Sequence, residues 1–314
     1  MAKRKRRYTK GSKKITSLLI STIVLICVIF SALCAQNEVV RDFVNDILGD
    51  IFVTQDTTPT ITGEELFVHY IDVGQGDCTL LQTPEGNILI DCGPSGNHTK
   101  IINYLRSHGV LSIDYLIFTH PHADHMGSAP ELLRQFNVKN VIMNNRPSTT
   151  KYFSDTLDAL EDKNINTILA VPGDVYTIGN LTLKLLGPYN DNFASSDINN
   201  SSIIIHASFG ERSFLFTGDA EVLAERELLG KHKNELKCDV FQAGHHGSYT
   251  SNSKDIIVAA SPTYAVISCG KDNSYGHPHQ KTLNTFEDYG VEYYRTDLLG
   301  TIVFITNGKD LWME

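Results

Sequence analysis

Apolar residues fall into three spacings along this chain. Residues 15–35, ITSLLISTIVLICVIFSALCA, form a run of 21 positions without a charge. As a helix rising 1.5 Å per residue, that run matches a bilayer core of about 30 Å. Val40, Phe43, Val44, Ile47, Leu48, Ile51 and Phe52 then recur at helical intervals, which predicts a stalk helix lying on the membrane or on the domain, or a dimerising one. Residues 54–65 (TQDTTPTITGEE) read as an extended linker.

From Leu66 onward the apolar runs are short. LFVHYIDV, CTLLQT and NILIDC are expected strands, followed by a helix near 99–108, the strand DYLIFTH and a helix near 129–136. The second half repeats this logic with LTLKLLG, SIIIHASFG and SFLFTGD, a helix over 220–229, and the strands CDVFQAGH and TYAVISCG. Strands alternating with helices predict a layered α/β domain over 66–314. LIDCG and LFTGD echo one another, since each is an apolar strand that delivers an aspartate at a glycine turn. Two such halves placing carboxylates at one edge would suit a central metal site.

Charge changes how the N-terminus reads. Eight Lys and Arg residues and no acid lie within residues 1–14, leaving 19 basic against 36 acidic residues in the remainder, a balance of −17. The basic segment is expected to stay cytoplasmic, with 15–35 as a membrane anchor, 36–65 as stalk and linker, and the domain outside. A signal peptide ending near Ala32 or Ala35 is the rival reading, although the apolar run is long for that role. Cys78, Cys92, Cys238 and Cys269 form no CxxC pair, so they are expected to be buried free thiols and not a thiolate zinc site.

The densest chemistry follows the strand ending at Phe118. Thr119, His120, Pro121, His122, Ala123, Asp124 and His125 place three imidazoles and a carboxylate within six residues, a donor set suited to zinc or another divalent transition metal. His120 and His122 can converge on one ion while Asp124 and His125 turn toward a second. Asp219, beside Gly218, is placed to bridge two ions. His245 and His246, flanked by Gly244 and Gly247, suggest ligation over packing. In the loop NSYGHPH, His277 is a candidate for protonating a leaving group and Asn273 for contacting substrate, while His279 reads as solvated. Ser248 and Thr250 would bind a phosphate oxygen or cap a turn. Asp72 and Asp77 of DVGQGD read as mainly structural, and His69, His98, His108 and His232 carry no functional expectation.

DVGQGDC, LIDCG, THPHADHMGS, FLFTGDAE, AGHHGS, YGHPH and YRTDLLGTI occur here in one order, and in that order the chain resembles the metallo-β-lactamase-like domain of the ComEC competence family. The likeness runs from Phe67 to Ile305 and does not include that family's multi-span DNA channel region. It implies a four-layer αββα fold with two divalent metal ions, zinc or manganese. By the resemblance His120 and His122 hold one ion, Asp124, His125 and His245 the other, and Asp219 bridges. It also makes Asp91 a carboxylate that orients ligand histidines. Apart from the resemblance, His246, Ser248 and Asn273 are expected to contact the substrate. The superfamily often adds a third histidine to the first ion, and the nearby candidate here is His206. In a hairpin turning at Gly210 and Glu211, however, Asp219 lies opposite residues 199–202, which leaves His206 roughly 13 Å away. Asn200 or water is then expected in that place.

These readings converge on a hydrolase acting through a metal-bridged hydroxide, with Asp124 or His277 managing the proton. The expected substrate is an extracytoplasmic phosphodiester, nucleic acid first and a choline-phosphate or teichoic-type polymer second. The acidic domain argues against tight nonspecific DNA binding. Alternatives are hydrolysis of a lactam, lactone or thioester, and a non-catalytic, metal-stabilised receptor module tethered by the anchor.

Overall fold

The computed structural model describes residues 63–189 and 197–314. The expected basic segment, membrane anchor and stalk helix lie outside them. Among the described residues no helix is long and apolar enough to cross a membrane.

In chain order the first half supplies β1 (Leu66–Tyr70), β2 (Thr79–Thr83), β3 (Gly86–Ile90), α1 (His98–Ser107), β4 (Ser112–Phe118), α2 (Ala123–Met126), α3 (Ala129–Gln135), β5 (Asn137–Met143), α4 (Lys151–Asp162) and β6 (Asn166–Leu169). The second half supplies β7 (Val175–Ile178), β8 (Leu181–Gly187), β9 (Ile204–Phe209), β10 (Arg212–Phe216), α5 (Val222–His232), β11 (Val240–Gln242), α6 (Lys254–Ala260), β12 (Tyr264–Ile267), α7 (Gln280–Asp288), β13 (Glu292–Arg295), α8 (Thr296–Leu299), β14 (Ile302–Thr306) and β15 (Leu311–Met313). One sheet runs β15-β14-β1-β2-β3-β4-β5-β6 and the other β13-β12-β11-β10-β9-β8-β7.

Strand alternation explains the layers, because successive side chains point to opposite sheet faces. Leu80, Leu89 and Leu116 pack outward with Ile101, Leu105 and Leu132 of α1 and α3. Their neighbours Leu81, Ile88 and Ile117 pack inward among Leu183, Ile205, Phe214 and Phe216 of the second sheet. Leu215 turns to the far side, among Leu228, Ile256 and Phe286 of α5, α6 and α7. These three cores make the αββα arrangement. The strands that periodicity does not mark are largely edge elements: β6 and β7 end their sheets and are mostly exposed, so their side chains carry little burial pattern.

Each sheet changes from antiparallel to parallel partway across. β3 through β6 run parallel, as do β10 through β13. Their helical crossovers bring the ends of β3, β4, β10, β11 and β12 toward one edge, where Asp91, His120, Asp219, His246 and the 268–277 loop emerge. The hairpin register pairs Phe209 with Arg212 and Phe216 with Ile205, and the Asp219 amide donates to Ser202 Oγ at 3.1 Å. His206 lies back along β9 and bonds the Lys237 carbonyl at 2.9 Å, as the sequence-based pairing predicts. The four domain cysteines are buried free thiols.

One buried histidine couples the fold to pH. His69 on β1 is 2 % exposed, and its Nδ1 lies 2.9 Å from the Tyr104 hydroxyl. Burial, aided by nearby His108, pulls its pKa from 6.5 down to about 3. The unfolded chain therefore takes up this proton before the folded one does, and stability falls as pH drops below about 6.5. Denaturant titrations of wild type and His69→Phe should show the wild type losing about 2 kcal/mol more between pH 7 and pH 5. Parallel losses in both proteins would remove His69 from the acid response.

Candidate metal centre

β4 ends at Phe118, and the chain turns inward through Thr119. His122, extended at φ −90° and ψ 155°, precedes the single turn of α2, which swings His125 into the interior and leaves Asp124 partly exposed beside it. Met126 anchors that turn in the outer core. Gly127 leaves room for it, because a Cβ there would stand 2.2 Å from the Ala123 carbonyl oxygen.

Two groups of donor atoms result. His120, His122 and Asp219 form one, and Asp77, His125, Asp219 and His246 the other, with the donor atoms of each group lying within 4.8 Å of one another. In the first, His120 Nε2 stands 2.9 Å from His122 Nδ1 and 3.6 Å from Asp219 Oδ2. In the second, Asp219 Oδ1 lies 3.2 Å from His125 Nε2 and 3.7 Å from His246 Nε2. Asp124 Oδ2 approaches His246 Nε2 at 3.1 Å. Asp219 thus turns one oxygen to each group, the geometry of a bridging carboxylate.

Partners behind the rings fix their direction. Asp91 Oδ2 meets His125 Nδ1 at 2.7 Å and accepts the Thr119 hydroxyl at 2.6 Å, while Oδ1 accepts the Thr119 amide. His246 Nδ1 bonds the Ser268 carbonyl at 3.0 Å. Both rings therefore present Nε2 to the centre. His125 Nε2, Asp219 Oδ1 and both Asp77 carboxylate oxygens are buried without a hydrogen-bond partner. Buried carboxylate oxygens left without donors are costly unless a cation sits among them, so the residues present fit a divalent metal pair.

Electrostatics agree with that donor set. Burial opposes charge on His125 and His246, yet the neighbouring carboxylates outweigh it and hold both rings well above the ordinary imidazole range. Asp219 is pushed up by burial but held well below its ordinary range by His125 and His246. His120 and His122 are driven the other way, mainly by burial, so these two rings are already neutral as ligands must be, whereas a metal at the second group would have to displace a proton from His125 and from His246.

Several expected roles move. His245 was expected beside Asp124 and His125, but His246 takes that place. Both residues are left-handed, with φ 51° and 54°, so their rings diverge to 6.0 Å between centroids at 68°. His246 points inward. His245 points to Glu221, with Nδ1 3.2 Å from Oε1, and its Nε2 stands 3.7 Å from Asp219 Oδ2, the oxygen facing the first group. Asp77, expected to be structural, joins the second group. It faces the Nδ1 side of both rings, 4.0 Å from His125 and 3.6 Å from His246. It reaches there because its amide bonds the Asp124 carbonyl at 3.1 Å. Gly76 makes that approach possible, since a Cβ there would lie 2.3 Å from the same oxygen.

Asn200 does not enter the centre. Its side-chain oxygen accepts the amides of Glu221 and Ala224 at the start of α5. Ser248 Oγ is held by Thr250, and Asn273 braces its own loop through Gly270, Tyr275 and His277. His277 does face the centre, across a 430 Å³ cavity it shares with Gln75, His122, Asp124, Tyr152 and His245. Burial and the neighbouring His246 and His245 pull its pKa down to about 4. At pH 7 the ring is therefore neutral.

Comparison with known proteins agrees with this geometry. Residues 71–271 match the metallo-beta-lactamase superfamily. ComE operon protein 3 of Bacillus subtilis is 32% identical over 255 residues, covering 76% of this chain and 32% of its own length. Recombination protein 2 of Haemophilus influenzae is 30% identical over 243 residues, 75% of this chain and 28% of its own length. Competence protein ComA of Neisseria gonorrhoeae is 29% identical over 236 residues. The chain thus spans about a third of the length of these relatives. Among solved structures, the metallo-beta-lactamase fold protein YhfI of Bacillus subtilis superposes with a TM-score of 0.53 at 12% identity, covering 77% of this chain and all of that one.

Proposed function

Because the chain belongs to the metallo-β-lactamase superfamily, we propose that it is a dinuclear metal-dependent phosphodiesterase working outside the cytoplasmic membrane. The observation that carries this reading is Asp219, a buried carboxylate with one oxygen toward each of two donor groups. His120, His122 and Asp219 would hold one ion, with Asp219, Asp124, His125 and His246 around the other. Two divalent ions so held would supply Lewis acidity for a phosphoryl oxygen and a water-derived nucleophile at neutral pH.

The protein's own groups supply the rest. Asp91 and Ser268 keep the ligand rings from rotating. Asp124, held below the ordinary carboxylate range by its bond to His246 in spite of burial, is an ionised acceptor on the cavity wall. His277 and Gln75 face it, 3.4 Å apart, where the departing part of a substrate would lie. The relatives' names, in competence and recombination, favour nucleic acid over a choline-phosphate or teichoic-type polymer. The extracytoplasmic placement rests on the basic 1–14 segment followed by the uncharged run at 15–35.

Full-length protein loaded with manganese or zinc should hydrolyse a phosphodiester reporter, lose the activity to a chelator, and spare phosphomonoester, lactam and thioester reporters. With a balance of −17 beyond the basic segment, cleavage of long DNA should weaken sharply with moderate salt. Turnover of a lactam or thioester, with no phosphodiester cleaved under either metal, would sink the phosphoryl assignment.

A further inference from the structure

His245 and His246 stand side by side in left-handed backbone, at φ 51° and 54°. Two adjacent non-glycine residues do not keep that conformation by themselves, because each Cβ crowds the following carbonyl oxygen. The side chain of Asn252 spans the run that contains them. Its Oδ1 accepts the Gly244 amide at 2.8 Å, while Nδ2 donates to the Gly244 carbonyl at 2.9 Å and to the Ser248 carbonyl at 3.3 Å. Both ends of residues 244–248 are therefore tied to one carboxamide. Asn252 is 2 % exposed and is itself left-handed, at φ 62°.

A carboxylate holds Asn252 in turn. Glu225 Oε1 accepts the Asn252 amide at 2.6 Å, and Oε2 accepts the Ser253 amide at 3.1 Å. Glu225 lies in α5, buried along with Ala224 and Leu228. An acid is costly to bury, and packing against apolar neighbours does not require one. What it offers is two acceptor oxygens for two neighbouring amides. The chain reaches α5 directly from Asp219, and the Gly218 carbonyl accepts the His245 amide at 3.0 Å. The bridging carboxylate and the histidine run are thus fixed to the same helix.

We infer that Glu225 and Asn252 are positioning residues of the metal centre: Asn252 locks residues 244–248 in the twist that turns His246 to the second donor group, and Glu225 locks Asn252. The inference rests on the metal centre of the proposed function and not on its substrate. Neither side chain belongs to the donor groups, so the effect reaches the ions through the backbone. His245 keeps the separate holds of Glu221 and Thr250, so the second ion should feel the loss more than the first.

The test is manganese titration of the full-length protein, with the free ion read by its electron paramagnetic resonance signal. Wild type should take up two ions. Asn252→Gly suits the left-handed backbone and removes the clamp. Glu225→Gln keeps the shape but turns one acceptor into a donor facing an amide. Each should weaken the second ion by about tenfold and leave the first nearly as tight. Asn252→Asp, which can still accept the Gly244 amide, should fall between Asn252→Gly and wild type. Leu228→Ala opens a cavity on the same helix and should lower the melting temperature without loosening either ion. Circular dichroism melting checks that each variant is folded. Wild-type affinity for both ions in folded Asn252→Gly and Glu225→Gln overturns the proposal. An equal loss of the second ion in Leu228→Ala also overturns it, because general destabilisation would then account for the effect. Hydrolysis of bis(p-nitrophenyl) phosphate by the manganese-loaded wild type decides the phosphodiesterase reading separately. Two ions bound with no diester cleaved leaves the positioning roles standing without that activity, whereas a wild type that holds fewer than two ions overturns both.

Discussion

Asp219→Ala is expected to abolish hydrolysis and to strip metal from the purified full-length protein. The carboxylate serves both donor groups, with Oδ2 3.6 Å from His120 and Oδ1 3.2 Å from His125. Its loss therefore removes one ligand from each ion, and the charge that balances His125 and His246 goes with it. Losing even a residue that only orients a ligand typically costs ten- to a hundredfold in metal affinity, so a shared ligand should cost at least about a hundredfold. Elemental analysis reads the metal content and a phosphodiester reporter reads the rate. Asp219→Asn, which keeps the shape without the charge, should retain more metal than the alanine variant. Unchanged stoichiometry together with an unchanged rate in Asp219→Ala would take Asp219 out of the site.

The paired histidines should separate on the same measurement. His246 is 1 % exposed, bonded behind to Ser268 and aimed at Asp124 and Asp219. His246→Ala should lose about one equivalent of metal and nearly all activity. It also takes the facing imidazole away from the buried carboxylate of Asp77, a defect worth several kcal/mol in the apo protein. His245 stands at the edge of the first group and is held by Glu221 and Thr250, so His245→Ala should keep the second ion and loosen the first. Titration with manganese followed by competition with a chelator distinguishes the two. A His245→Ala protein that loses the second ion, beside a His246→Ala protein that keeps it, would reverse the assignment.

The parts of the centre legible in sequence are those a short local run encodes. Thr119 to His125 leave a single buried strand, and the extended His122 followed by one helical turn places His120, His122, Asp124 and His125 within a few ångströms whatever else the chain does. Asp219 was legible too, because the tight turn at Gly210 sets a register of period two that carries it opposite Ser202. The same counting kept His206 away from the metal. The alternation of Leu80 with Leu81, or Leu116 with Ile117, likewise carried the layered fold in its pattern.

What only tertiary structure decided are directions of side chains in loops, where no period operates. Two adjacent left-handed residues sent His246 inward and His245 toward Glu221, a choice made by backbone torsion angles that the letters GHHG leave open. Asp77 became part of the centre through one amide bond to Asp124, 47 positions along the chain, and a glycine that allows the contact. Asn200, a plausible ligand by position, is consumed in satisfying the free amides at the start of α5, and Ser248 and Asn273 are consumed by their own turns. A polar side chain near a site has many partners within reach. The sequence determines which chemistry arrives at the sheet edge, but which atoms face the cavity depends on the hydrogen bonds that the packed neighbours have already claimed.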